Sequence, residues 1–163
     1  MINRLIITPL IISFLIVCFY TQSFALRIGD DAPEIYGRLL TKQLIKLSAY
    51  SGKLRVVNFF SVNCKPCKKE LPELAVLEKD YPHVVFIAVH LGDESIEKVN
   101  QFLSGLSGSP RLVIWSSLAV KTDYGFMGFP HSVIIDKNNH ILKIIPGYNT
   151  QLIKTTLDEL SYK

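Results

Sequence analysis

The sequence predicts an α/β domain built on a mixed central sheet flanked by helices, and three observations carry that prediction. Apolar runs of strand length alternate with helix-like stretches from Leu54 onward. The last two apolar runs, Ser132 to Asp136 and Ile141 to Ile145, are joined by the turn Lys137-Asn138-Asn139-His140, which pairs them as a hairpin. A helical stretch from Thr150 to Leu160 then closes the chain. Strands alternating with helices and ending in a hairpin argue for a sheet with both parallel and antiparallel pairs.

Each element has its own signal. Leu26 to Ser51 is broken by turn residues, Gly29-Asp30-Asp31-Ala32-Pro33 among them, with short apolar pieces at Leu39-Leu40 and Ile45-Lys46-Leu47. It reads as an extended lead-in with an N-terminal hairpin. Leu54 to Phe60 has few polar residues, as a strand covered on both faces should. Cys64 to Asp80 reads as a helix with Leu71, Leu74 and Leu77 on one side and Pro72 inside it. Val84 to Leu91 is a second buried strand, Glu94 to Leu103 a helix, Leu112 to Trp115 a short strand, and Leu118 to Tyr124 a short helix.

The first residues stand apart from this pattern. Met1 to Arg4 is a basic start, Leu5 to Tyr20 is almost wholly apolar, and Ser23-Phe24-Ala25 places small residues where a signal peptidase reads them. Residues 1–25 are expected to be a signal peptide cleaved after Ala25, or else an uncleaved membrane anchor, with residues 26–163 as the folded domain. Cys18 lies in the apolar run, but Val17 before it is not the small residue that lipidation wants. The expected location is therefore the periplasm or an equivalent exported compartment. Without residues 1–25 the chain has 17 basic and 14 acidic residues, a net charge of +3, which suggests no nucleic acid partner.

Two cysteines remain, Cys64 and Cys67, two residues apart and just after the apolar strand. One close pair does not staple an exported domain, so it points to chemistry. A structural zinc site needs about four ligands, and no second pair is present. At a helix N-terminus the free N–H groups and the helix dipole stabilise a thiolate on Cys64. Cys67, one turn on, can then resolve a mixed disulfide. The redox-active disulfide is the only cofactor expected.

Val57-Asn58-Phe59-Phe60, the run Cys64-Lys65-Pro66-Cys67-Lys68-Lys69-Glu70-Leu71-Pro72-Glu73-Leu74, and Phe129-Pro130 before a late strand resemble the TlpA/ResA/CcmG class of exported thioredoxin-like proteins. The Gly29-to-Pro33 segment resembles that class's N-terminal addition, and the gap of about 60 residues from Cys67 to Pro130 matches its inserted strand and helix. The resemblance covers most of residues 26–163. It implies a thioredoxin-like fold, a cis bond before Pro130 beside the cysteines, and a Glu70 that tunes proton loss from Cys67. Asn58 stands where plain thioredoxins bury an Asp.

There are departures. Asn63 replaces the Trp usual before the first cysteine, and Phe129 replaces the Thr frequent before the cis-proline. Asn63, Phe129 and His131 are thus expected on the partner-facing side, with Asn63 a good helix N-cap. Glu70 has a plainer reading as a first-turn carboxylate favoured by the dipole. Lys65 can lower the Cys64 pKa, yet Lys65, Lys68 and Lys69 also read as a solvated row. His131 is either near the cysteines or a solvated residue beside a turn. His83, His90 and His140 read as loop or strand-end residues.

The function expected is thiol–disulfide oxidoreduction on protein disulfides or dithiols. The resemblance implies a monomeric reductant for partners such as apocytochrome c cysteines or copper-site thiols, recharged by a membrane electron donor. Reductants near about −270 mV and oxidants near about −120 mV share this motif, so the direction stays open. Two other readings remain: a copper-binding chaperone using the cysteines and His131, and a peroxiredoxin-like peroxidase echoed by Ser61. The proline such a peroxidase site carries earlier is Val57 here.

Overall fold

The computed structural model describes residues 26–161. The signal segment, its cleavage point and Cys18 lie outside the described residues.

Seven strands form one mixed sheet: β1 (Tyr36–Leu39), β2 (Leu44–Lys46), β3 (Arg55–Phe60), β4 (Val85–Leu91), β5 (Leu112–Ser116), β6 (His131–Ile135) and β7 (Ile141–Pro146). Their order across the sheet is β2-β1-β5-β4-β3-β6-β7. The three central strands are parallel, with β3 beside β4 and β4 beside β5. The outer pairs are antiparallel: β1 with β2 and β5, and β6 with β3 and β7. The helices are α1 (Cys67–Asp80), α2 (Ile96–Ser104), α3 (Ala119–Asp123) and α4 (Thr150–Ser161), and a 3-10 turn spans Leu47–Tyr50.

Successive side chains of a strand point to opposite faces, and β3 shows what that does here. All six of its residues are buried. Val56 packs with Leu74 and Leu77 of α1 and with Ile153 and Leu157 of α4. Phe60 packs with Cys64, Cys67, Leu71 and Val99 of α2. Val57 and Phe59 face the other way, onto Val120 of α3 and Tyr124 just after it, and onto Ala32 and Ile35 of the lead-in. The sheet therefore has a cysteine face, covered by α1, α2 and α4, and an opposite face covered by α3 and the N-terminal segment.

Two expectations change. The helix after β3 begins at Cys67, three residues later than the sequence suggests, because proline disfavours α geometry in the residue before it. Cys64 instead sits in a turn, with its N–H donating to the Ser61 carbonyl at 3.0 Å. His90, expected in a loop or at a strand end, is the last residue but one of β4 and is wholly buried.

Candidate active site

The cysteines follow β3, one of the three central strands, with Cys64 on the loop and Cys67 at the first residue of α1. Cys64 and Cys67 are joined by a disulfide. Cys64 is 9% exposed and Cys67 is 0% exposed. Any incoming thiolate therefore reaches Cys64 first. The Cys67 N–H donates to Cys64 Sγ at 3.2 Å. That sulfur thus takes one of the free donors at the start of α1, an arrangement that favours negative charge on it once the disulfide opens.

A buried polar network is centred on Glu70, about one turn beyond Cys67 along α1. Glu70 stands three residues after Cys67 on α1, so the two share a face of the helix. It is 0% exposed. Asn58 Nδ2 donates to Glu70 Oε2 at 2.7 Å and is also 2.8 Å from Ser132 Oγ. The backbone N–H of Asn149 donates to Glu70 Oε1 at 3.3 Å. Burial pushes the Glu70 pKa up to about 7, against the two hydrogen bonds that favour its charged form. A carboxyl in that range can take or give a proton near neutral pH.

Ser132 and Asn149 were not singled out in the sequence. Ser132 had a weak signal, as a polar residue in an apolar strand, opposite Asn58 once the hairpin is paired. Asn149 caps α4, its Oδ1 accepting the Leu152 N–H at 3.0 Å. Nothing in the sequence brings that cap to Glu70, 79 residues earlier.

The residues expected around the partner groove divide. The Phe129–Pro130 bond is cis. Pro130 is buried immediately before β6, where the β3–β6 register runs on to Phe60 and the cysteine cluster. Phe129 is half-buried, packs against that cluster, and stands edge-on to Phe126 at 5.7 Å. With Ser61, Leu91, Glu94 and Leu118 it lines a groove of about 520 Å³ beside the cysteine loop. Met127, two residues before Phe129, is 90% exposed.

Asn63 is exposed but caps no helix: its Nδ2 donates to Glu94 Oε1 at 3.0 Å. Lys65 and Lys68 are exposed, and Lys69 lies over the Tyr148 ring at 5.0 Å.

His131 is a correction. It is buried, not partner-facing, because β6 register sets it opposite Phe59 on the face away from the cysteines. Its ring stacks on Phe126 at 4.4 Å, and burial lowers its pKa to about 4. The copper reading required that ring to turn toward the cysteines.

A family model described as thioredoxin-like matches residues 52–141, more than half the chain. The chain belongs to the thioredoxin-like family. Its relatives place this thioredoxin-like protein in the TlpA/ResA/CcmG class. It is 31% identical over 135 residues to the thiol-disulfide oxidoreductase ResA of Geobacillus thermodenitrificans, covering 82% of this chain and 77% of that one. It is 29% identical over 161 residues to ResA of Bacillus thuringiensis, covering 91% of each. The thioredoxin domain of a thiol-disulfide oxidoreductase from Bacteroides vulgatus superposes with a TM-score of 0.71 at 21% identity, over 82% of this chain and 98% of that one. This likeness shows the thioredoxin fold. In this frame one sulfur of the pair reaches the surface, the other is buried, and a buried carboxyl follows about one turn on along α1.

Proposed function

We propose that this chain is a thiol–disulfide oxidoreductase that works as a selective reductant in an exported compartment. The observation that carries the chemistry is the Cys64–Cys67 disulfide with the buried, near-neutral Glu70 about one turn further along α1. Membership of a family whose ResA relatives are named thiol-disulfide oxidoreductases supports the same activity.

The reaction begins from the dithiol. Cys64 thiolate attacks one sulfur of a partner disulfide. The partner's S–S bond breaks, a mixed disulfide forms, and one partner thiolate leaves and takes up a proton. Cys67 then gives its proton to the Glu70 carboxylate and attacks Cys64 Sγ. The mixed disulfide breaks, the second partner sulfur leaves as a thiolate and takes up a proton from solvent, and the chain ends as the Cys64–Cys67 disulfide. Two electrons have passed to the partner. The proton held on Glu70 leaves when the pair is next reduced or the site re-equilibrates with solvent.

Selectivity follows from what borders Cys64. Asn63 and Phe129 replace the residues common at those positions, and the groove wall is apolar at Leu118 and Phe129 and acidic at Glu94. Exported disulfides of apocytochrome c or of copper-site thiols are the partners this class implies. A membrane electron donor would recharge the pair, and the unit would act as a monomer, with residues 1–25 directing export.

The reduction potential of the purified protein tests the direction. A value well below that of strong oxidants near about −120 mV is expected, with partner disulfides cleaved faster than insulin. Rapid oxidation of unfolded dithiols, with a value near the oxidant end, would reverse the assignment. Cys67→Ala should accumulate mixed disulfides on Cys64, and their capture identifies the partners.

A further inference from the structure

We propose that Glu94 is a positioning residue for the cysteine loop: braced by buried His90 at the turn between β4 and α2, its carboxylate latches Asn63, the neighbour of Cys64, and so sets the balance between the disulfide and dithiol states. This rests on the redox reading above and adds a part to it.

Three contacts converge on Glu94, and a fourth fixes its neighbour. Asn63 Nδ2 donates to its Oε1 at 3.0 Å. His90 Nε2 is 3.4 Å from its Oε2. Trp115 Nε1 donates to its backbone carbonyl at 2.7 Å. The next residue, Ser95, caps α2 by accepting the Lys98 N–H at 3.3 Å. Backbone and side chain are thus held together, and the carboxylate is turned back toward the sheet.

Gly92 makes that fold-back possible. A Cβ on Gly92 would stand 2.2 Å from Glu94 Oε2 and 3.1 Å from His90 Cε1. The missing side chain is the space the carboxylate occupies. Its φ is not in the left-handed region, so space and not backbone freedom is what glycine supplies here.

His90 is the rigid end of the brace. It is wholly buried in β4, opposite Phe60 on one side and Trp115 on the other, and its ring meets Phe60 edge-on at 5.4 Å. Phe60 is the last residue before the cysteine loop. Neither ring nitrogen of His90 makes a hydrogen bond, so the Glu94 carboxylate is the polar group nearest to answering a buried imidazole. Burial holds that imidazole below its ordinary pKa, with Glu94 opposing. It therefore meets Glu94 as a neutral ring with one N–H to offer.

The latch is closed in the disulfide form. Releasing Asn63 frees the loop and should favour the dithiol, where the sulfurs move apart.

The test equilibrates the full chain with a glutathione redox buffer and measures the reduced fraction. Asn63→Ala and Glu94→Ala should each shift the exchange equilibrium toward the dithiol by about threefold to tenfold, the size of one hydrogen bond. The double variant should shift it no further than either single one. Glu94→Gln, which still accepts from Asn63, should stay nearer the wild type than Glu94→Ala does. Gly92→Ala should behave like Glu94→Ala. Additive single effects, singles that match the wild type, or a Glu94→Gln shift as large as that of Glu94→Ala would overturn the latch. Asn63 is exposed, so its variant reads the latch even if a change at Glu94 disturbs folding. A wild-type protein that fails to exchange with glutathione at all would instead overturn the redox reading.

Discussion

Glu70 on α1 and His131 at the start of β6 are both buried and both ionisable, yet only one sits in a hydrogen-bonded network. Burial raises Glu70 to about 7 and lowers His131 to about 4. The desolvation is the same in kind, since it opposes whichever form is charged. What differs is the company. Glu70 is hydrogen-bonded by Asn58 and Asn149, so its charged form stays within reach at neutral pH. His131 lies flat on Phe126 with Nε2 unpartnered, so its charged form is out of reach. Ser132, the very next residue, falls on the cysteine face and joins the Glu70 network. One step along β6 separates a side chain hydrogen-bonded to Asn58 in the Glu70 network from one packed on the far face.

The comparison can be broken first through stability. Glu70 has a folded pKa above its ordinary 4.5. Its contribution is therefore fully present below about pH 4.5 and is lost as pH rises through about 7. Glu70→Gln, which mimics the protonated form, should gain about 3 kcal/mol over the wild type at pH 8 and nearly nothing at pH 4. Thermal unfolding of the oxidised protein at both pH values measures this, and equal gains at both would detach the effect from ionisation.

The second expectation is kinetic. Glu70→Gln should slow resolution of the mixed disulfide by about a hundredfold near pH 7 and flatten its pH dependence there. Stopped-flow release of a partner thiol reports it. His131→Phe should leave the same rate within about twofold, since that ring stacks on the far face. If both variants slowed resolution alike, the division between the two faces would fail.

The third reverses the sign. His131 is depressed from 6.5 to about 4, so its contribution is present above about pH 6.5 and lost as pH falls through about 4. His131→Phe should therefore resist acid better, by about 3 kcal/mol near pH 4, while matching the wild type at pH 7.5. Denaturant titrations at the two pH values would show it.

The smallest effect concerns Lys65. Its side chain is exposed beside Cys64, where salt and solvent screen its charge. Lys65→Ala should change the alkylation rate of reduced Cys64 by less than about twofold near neutral pH. A tenfold loss would restore a tuning role to the lysine row.

Much of this was legible in the chain itself. The apolar runs located the central strands within a residue or two, since a strand covered on both faces has no choice of composition. The hairpin at residues 137–140 and the cysteine spacing needed only local rules. The start of α1 was misplaced because the helical pattern of Leu71, Leu74 and Leu77 says nothing of where Pro66 lets a helix begin. Asn63 was misread as a cap for the same reason: its real partner is Glu94, 31 residues away.

By itself, the sequence determined the class of fold, the identity of the reacting pair and the acid placed one turn behind it, because each depends on spacing within one element. Tertiary structure alone decided the partners. Ser132 meets Asn58 only when β6 pairs with β3, and the cap of α4 meets Glu70 only when the last helix closes on α1. His131 is turned away, and Glu94 turned toward Asn63, by strand register and by an open space over Gly92. Proton affinity and loop position depend on what lies within a few ångströms, and that is set by contacts between residues far apart in the chain.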